Sequence, residues 1–271
     1  MVYWFDGQLQ TGSQICLELD DPALVYGATV FTTLRVYGQA LDHPLTAWAA
    51  HQRRLSLTLE KFGWPPPDWS RLRRGAEQLQ LDFPVLRITC WPDGRELITG
   101  RGLPPDLEQR QHQGVTAWVA RGEAYRRSQP AYKTGNYLAS WLAQRAAQGQ
   151  GANEAILVNA PGHWLETSTG NLWGWRQGQW YSPCLADELL PGVSRQQLIN
   201  HLEGQGLRVS AEPWRQDLVH QFTVLAYGNC VVQVVPIHTV WADGGKLEFD
   251  AGHSSLQQLR TAFAEPGQLT A

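Results

Sequence analysis

The chain carries 22 cationic residues, of which 19 are arginine and only Lys61, Lys133 and Lys246 are lysine. A guanidinium stays protonated, whereas an amine can lose its proton when buried, act as a base and join an aldehyde as an imine. Lys133 lies in AYKTGNYLASWLAQ (131–144), just before a helix-like apolar pattern. Cations are disfavoured at helix starts, so local structure gives no reason for it. Lys61 ends a helical pattern, where a cation is favoured, and Lys246 sits in the turn DGGKLEF. The neighbours of Lys133 point to a buried amine, which titrates low and becomes nucleophilic. The plain alternative is a surface lysine at a helix start.

Three other stretches could complete a site. In HWLETSTGNLWGW (163–175), Glu166 stands at a strand end among apolar and small residues. A carboxylate there needs a partner, and a protonated ring nitrogen would serve; solvent or the N–H groups of the TSTGN turn would serve as well. In LLPGVSRQQLI (189–199), Pro-Gly leads into a helix with Ser194 in its first turn. Free N–H groups and a hydroxyl make an anion site there, or simply an ordinary capped helix. In HQRRL (51–55), His51 and Arg54 are three apart and share a helix face. Arg54 is then a phosphate clamp or a surface arginine.

The elements that must position these residues alternate along the chain. Asp6-Gly7 should turn a first hairpin, and ATVFTTLRVYGQAL (28–41) should be a strand. Apolar spacing from Pro44 predicts a helix stopped by Gly63 and Pro65-Pro66-Pro67, and a second, arginine-rich helix follows at 69–80. Next come a strand, an Asp-Gly turn and a strand in VLRITCWPDGRELITG, then a strand in GVTAWVARG. The polar run RGEAYRRSQP reads as a linker at 121–130, between an N-terminal domain (1–120) and a C-terminal domain (131–271). A helix follows Lys133 with Leu138, Trp141, Leu142 and Arg145 down one side. Two strand pairs, a helix over GVSRQQLINHLEG, a strand-rich TVLAYGNCVVQVVPIHTV and a terminal helix complete the chain. Mixed elements in both halves predict a two-domain α/β (α+β) protein.

Bulk composition limits the function classes. A hydrophobic content of 43% and charge of 17% describe a folded globular chain, and a net charge of −3 gives no reason to expect nucleic acid or an anionic membrane. Arg53-Arg54 and Arg126-Arg127 read as solvated faces. Four cysteines at 16, 90, 184 and 230 offer neither zinc spacing nor a redox pair. The opening residues lack a secretory pattern and no apolar run has membrane length, so a soluble cytoplasmic protein without a metal is expected.

Taken in order, YGATVFTTLRV, HQRRL, KTGNYL, LETSTGNLW, LPGVSR and GNCVVQVVPI resemble the motifs of the fold-type IV pyridoxal-phosphate enzymes, the class-IV aminotransferase family, from about Tyr26 to Ile237. The resemblance implies a smaller N-terminal α+β domain, a larger C-terminal domain, a pyridoxal 5'-phosphate cofactor and a homodimer. It implies that Lys133 holds the cofactor covalently and moves protons, that Glu166 pairs with the pyridine nitrogen, and that Arg54 binds phosphate. Gly192, Val193 and Ser194 would form the phosphate-cradling helix start, and Asn171 would belong to the cofactor site. Among family members, the single-glycine spacing of Lys133-Thr134-Gly135-Asn136, VFTTLRV and Gly228-Asn229-Cys230 look most like 4-amino-4-deoxychorismate lyase, which makes 4-aminobenzoate for folate. Aminotransferases for branched-chain or D-amino acids are the alternative. Thr32, Thr33, Arg95 and Asn229 are the implied substrate residues. Arg95 follows Thr89 at the lyase spacing, but Glu96 and Leu97 then replace the lyase's glycine and tyrosine.

Overall fold

The protein is described from a computed structural model over residues 1–264, Asp187 and Asp243 excepted. It divides into two compact units: Met1–Leu103 with Tyr132–Asn136, and Pro104–Ala131 with the chain from Tyr137. The first comprises β1 (Val2–Phe5), β2 (Gln8–Thr11), α1 (Pro22–Tyr26), β3 (Val30–Arg35), α2 (Trp48–Phe62), α3 (Trp69–Leu79), β4 (Val85–Cys90) and β5 (Glu96–Arg101). The second comprises α4 (Leu107–Gln113), β6 (Val115–Ala120), α5 (Leu138–Gly149), β7 (Glu154–Val158), β8 (Trp164–Thr167), β9 (Asn171–Arg176), β10 (Gln179–Pro183), α6 (Val193–Gly204), β11 (Val209–Glu212), α7 (Gln216–Val219), β12 (Val224–Asn229), β13 (Gln233–Ala242), β14 (Gly245–Glu248) and α8 (Leu256–Arg260).

The expected boundary at residue 120 is corrected in two ways. Strand β6 pairs in parallel with β13 and β7, so it belongs to the second unit's sheet. The residues around Lys133 belong to the first, because the Phe31 N–H donates to the Lys133 carbonyl (2.8 Å) and Val30 bridges Thr134 on the free edge of β3. Residues 121–130 lie in the second unit, with a turn of 3₁₀ helix at Glu123–Tyr125.

The first unit is an antiparallel sheet in the order β2-β1-β5-β4-β3. Alternation splits β3 cleanly. Val30 and Leu34 join Leu55 and Leu59 of α2, Leu72, Ala76 and Leu79 of α3, and Leu86, Ile88 and Ile98 in the core. Phe31 and Thr33 therefore share the opposite face with their register partners Thr89 and Arg87. The predicted first turn is present: Asp6 and Gly7 both have positive φ (43° and 84°), as a two-residue hairpin requires.

That turn is tied down by Glu96, whose side chain is wholly buried. Its Oε1 accepts from Trp4 Nε1 and the Gly7 N–H (both 3.1 Å), and Oε2 accepts from Arg71 (2.5 Å). A buried carboxylate with three donors is structural, which explains its presence in place of the glycine of the resemblance. Glu96→Ala should cost about 3 kcal/mol of unfolding free energy by leaving those donors unanswered. A urea midpoint equal to the parent's would show that the network does not stabilise the unit.

The second unit is a nine-stranded mixed sheet in the order β11-β10-β9-β12-β13-β6-β7-β8, with β14 on β13. A further pairing of β8 with β9, through Glu166 and Asn171, makes β9, β12, β13, β6, β7 and β8 a closed ring. Trp164, Trp173, Trp180 and Trp214 are fully buried within the unit. Helix α5 starts at Leu138, five residues after Lys133, and buries Ser140, Ala143 and Ala147. Its expected apolar side is corrected: Leu138 and Trp141 are 60% and 56% exposed, because the small alanine face allows the helix to pack closely on Ala120, Ala155 and Leu157. The sequence pattern also passed over α1, α4, α7, β11 and β14, each of seven residues or fewer.

Candidate functional site

The residues singled out fall into two groups, one in each unit. In the first unit, Lys133 stands on an extended segment built by close backbone approach. The Gly135 N–H donates to the Thr29 carbonyl at 2.6 Å, and a Cβ on Gly135 would meet Thr29 Oγ1 at 2.2 Å. Only glycine lets the segment lie this tightly along the start of β3. The Lys133 amine then sits 4.6 Å from the centre of the Phe31 ring, and the Arg87 guanidinium carbon stacks 3.6 Å from the same centre. Two cations thus share one ring, on the sheet face away from the helices.

Arg54 is fixed from the core side. Its Nη2 donates to Thr32 Oγ1 (2.7 Å), and Thr32 Oγ1 lies 2.6 Å from His51 Nδ1. A guanidinium can only donate, so the Thr32 hydroxyl accepts from Arg54. The same oxygen has its hydroxyl proton to give to His51 Nδ1 or a second lone pair to receive an Nδ1–H, and either way Thr32 links the two helix residues. Burial drives the His51 pKa well below its ordinary value, and the Arg54 and Lys133 cations push it the same way. Thr32 is fully buried, so this strand threonine is a support for Arg54. Thr33 points to the other face, opposite Arg87.

Arg95 has carboxylate partners of its own. Its Nη2 is 2.7 Å from Asp21 and its Nε 2.7 Å from Asp93. The fork that the sequence offered to a substrate carboxylate is engaged inside the unit. Arg87, which sequence reading passed over as a strand cation, is exposed beside the Phe31 ring.

In the second unit, Glu166 is buried with Arg127. The Arg127 Nη1 donates to Glu166 Oε1 at 2.7 Å, and the two side chains are 4% and 7% exposed. The Leu190 N–H donates to Glu166 Oε2 at 3.2 Å. This corrects the reading of Arg126-Arg127 as a solvated face: Arg126 is exposed, whereas the Arg127 side chain turns inward and its guanidinium also lies 5.1 Å from the Tyr137 ring centre. The pair lies outside any strand, just after the turn at Glu123–Tyr125, and no local sequence signal separates the two. Arg127 and Glu166 line a cavity of about 190 Å³ with Leu157, Asn159, Leu165 and Glu188 among its walls.

The turn after Glu166 leads to Asn171, whose Nδ2 donates to the Leu190 carbonyl (3.0 Å). Glu166 and Asn171 thus hold the two backbone groups of Leu190 between them, just before Pro191-Gly192. A Cβ on Gly192 would lie 2.0 Å from Asn171 Oδ1, so a larger residue there would displace the Asn171 amide. Helix α6 begins at Val193 with Gly192 as N-cap and no side-chain cap. The first N–H groups of a helix have no partner within it, and Ser194 is buried beside them. Asn229 has a local task instead: its Oδ1 accepts from the Val231 and Val232 N–H groups and its Nδ2 donates to the Thr169 carbonyl, closing the β12–β13 turn.

These donors and acceptors fit pyridoxal 5'-phosphate. The first unit offers an amine for the aldehyde and a supported guanidinium for the phosphate. The second offers a buried carboxylate for a protonated ring nitrogen and a glycine-led helix start for the phosphate. Among the described residues no group of His, Cys, Asp and Glu could hold a metal ion, and no helix is long and apolar enough to cross a membrane.

Comparison with known proteins identifies the family. The family model for amino-transferase class IV matches residues 29–240. An aminodeoxychorismate lyase from Vibrio harveyi is 23% identical over 93% of this chain and 96% of that protein. A branched-chain-amino-acid aminotransferase from Escherichia coli K12 is 21% identical over 88% of this chain and 84% of its own. The PLP-bound form of a hypothetical aminotransferase from Mycobacterium tuberculosis superposes with a TM-score of 0.81 at 20% identity, covering 97% of this chain and 98% of that one.

Proposed function

Because the chain belongs to the class IV aminotransferase family and is a pyridoxal-phosphate enzyme, we propose that it is a lyase converting 4-amino-4-deoxychorismate to 4-aminobenzoate and pyruvate. The observation that carries this reading is the set of lyase-like motifs in the sequence, VFTTLRV and Lys133-Thr134-Gly135-Asn136 among them, supported by 23% identity to the Vibrio harveyi lyase over 93% of this chain.

When bound, the cofactor supplies an electron sink for the carbon that bears the substrate amine. Lys133 would hold the cofactor's aldehyde and, once its amine is free, would take the proton from this carbon as general base. The adjacent C–O bond then breaks, enolpyruvate departs and becomes pyruvate, and the ring turns aromatic, which makes the step strongly downhill. Glu166, held by Arg127 and the Leu190 N–H, would accept a hydrogen bond from the ring nitrogen and favour its protonated form. Arg54, braced by Thr32, would supply a guanidinium for the phosphate, and the N–H groups of Val193 and Ser194 would supply donors for it. Asn171 and Gly192 hold that helix start in place. In the same reading the enzyme is a homodimer.

The substrate carries two carboxylates, and Arg87 is the cation placed to receive one. Arg87→Met should raise KM for aminodeoxychorismate about 30-fold, the loss of one charge-assisted hydrogen bond, and leave the absorbance of bound cofactor unchanged. An unaltered KM would remove Arg87 from the substrate site.

The function itself is tested by incubating the cofactor-loaded enzyme with aminodeoxychorismate. Fluorescent 4-aminobenzoate and pyruvate should appear in equal amounts. The similarity to the branched-chain enzyme defines the opposing outcome. Conversion of the cofactor to its aminated form by an L- or D-amino acid at a turnover rate, with no 4-aminobenzoate formed, would identify an aminotransferase.

A further inference from the structure

Glu154 is 1% exposed and lies at the start of β7, with no part in the chemistry above. Burying a carboxyl group is costly unless donors surround it. The Ser168 hydroxyl and the Ala155 N–H donate to its Oε1, and the Thr169 hydroxyl donates to its Oε2 at 2.5 Å. Burial raises the Glu154 pKa; the three hydrogen bonds, and then the charge of Arg110, oppose that rise. Arg110 itself donates to the Tyr227 hydroxyl. Apart from the adjacent Ala155 N–H, the hydrogen-bond donors to Glu154 are therefore hydroxyls of one short turn, 167–170, which joins Glu166 to Asn171 and closes the ring of strands.

The turn does not need Glu154 to close. The Thr167 N–H already donates to the Gly170 carbonyl (2.7 Å), and Thr167 Oγ1 accepts from the Gly170 N–H (3.0 Å). The Ser168 N–H donates to the Ala155 carbonyl (2.8 Å), and a Cβ on Gly170 would meet the Gly228 carbonyl oxygen at 2.4 Å. The backbone bond from Ser168 to Ala155 and the Asn229 bond to the Thr169 carbonyl already reach the turn's tip; the two hydroxyls add a side-chain hold on it, and both act on the single side chain of Glu154.

We propose that Glu154 is a positioning residue that staples the 167–170 turn and thereby sets the direction of the Glu166 carboxylate. The inference rests on the reading in which Glu166 faces the ring nitrogen of the cofactor. Displacing a reacting group by about 1 Å costs on the order of 100-fold in rate, so the staple acts on turnover without touching substrate.

Four variants test it: Glu154→Leu, Glu154→Gln, Glu166→Gln, and Glu154→Leu combined with Glu166→Gln. In the cofactor-free protein, amide exchange at Ser168–Gly170 should speed up about tenfold in Glu154→Leu through local opening. In the loaded enzyme the same variant should lose about 30-fold in kcat with KM within about threefold. Glu154→Gln should restore both, since its amide oxygen still accepts from Ser168 and Ala155 while its NH₂ donates to Thr169. In the double variant, Glu154→Leu should add less than about threefold to the loss caused by Glu166→Gln, the coupling expected when one residue acts through the other. Unchanged exchange, an unchanged kcat, or fully additive losses would each overturn the proposal. A Glu166→Gln enzyme with parental turnover would instead refute the role of Glu166, and the exchange rates would still decide whether the staple exists. If Glu154→Leu does not fold, the Ser168→Ala, Thr169→Val pair removes the same bonds from the other side and carries the same expectations.

Discussion

Lys133→Arg is expected to abolish turnover, by about 1,000-fold or more, while the chain stays folded. The substitution keeps a positive charge over the Phe31 ring and leaves the bridge to β3 untouched, because that bridge uses backbone atoms of Lys133 and Thr134. What it removes is chemistry. A guanidinium neither joins an aldehyde nor gives up its proton near neutral pH, and general-base catalysis alone is worth about 100- to 10,000-fold. Lys133→Ala should behave alike, with one difference: small primary amines in the buffer should restore part of the rate by taking the vacant role of base. Single-turnover kinetics with saturating cofactor check both variants. A Lys133→Arg enzyme within tenfold of the parent would contradict the role given to this amine.

The second large effect is expected from Glu166→Gln. The amide would still receive the Leu190 N–H, but it would present Arg127 with a neutral partner in a buried setting and would no longer hold a ring nitrogen in its protonated form. Loss of one well-placed electrostatic partner costs about 3 kcal/mol in the transition state, or about 100-fold in kcat. KM should change little, since substrate binding does not use this carboxylate. The visible absorbance of the bound cofactor should shift in the same variant, which ties the rate loss to the ring. A parental kcat with an unshifted spectrum would show that Glu166 serves only its ion pair with Arg127.

The contrast between these two residues and the substrate candidates shows how far the sequence reaches. Lys133 and Glu166 stood out in the sequence because each broke a local rule: a cation before a helix-like pattern, and a carboxylate in apolar surroundings. The structure pairs Glu166 with Arg127 and starts α5 five residues beyond Lys133. Long periodic elements such as α2, α3 and α6 were legible for the usual reason that repeated spacing reports one buried face. Thr32, Arg95 and Asn229 were different. Their residue types and spacing matched a pattern, but what a hydroxyl, a guanidinium or an amide bonds to depends on neighbours distant in sequence. Thr32 found Arg54 and His51, Arg95 found Asp21, and Asn229 bonded within its own turn and to Thr169.

Arg127 and Arg87 were missed from the opposite direction. Each looked like an ordinary arginine of a polar run or a strand, and only the fold shows one side chain 4% exposed and the other stacked on Phe31. The unit boundary was missed for a similar reason. Composition placed a linker at the polar stretch 121–130, but the pairing of β6 with β13 joins residues more than a hundred positions apart. Local composition carries no record of such a pairing. The same holds for Lys133, whose segment returns to the edge of β3 and so belongs to the unit that precedes it.

The most direct measurement is reductive trapping. Borohydride added to the yellow, cofactor-loaded enzyme should fix the cofactor irreversibly, and peptide mapping by mass spectrometry should find it on one residue, Lys133. Labelling at Lys61 or Lys246, or a chain that binds the cofactor but yields no reduced adduct at any lysine, would contradict the account.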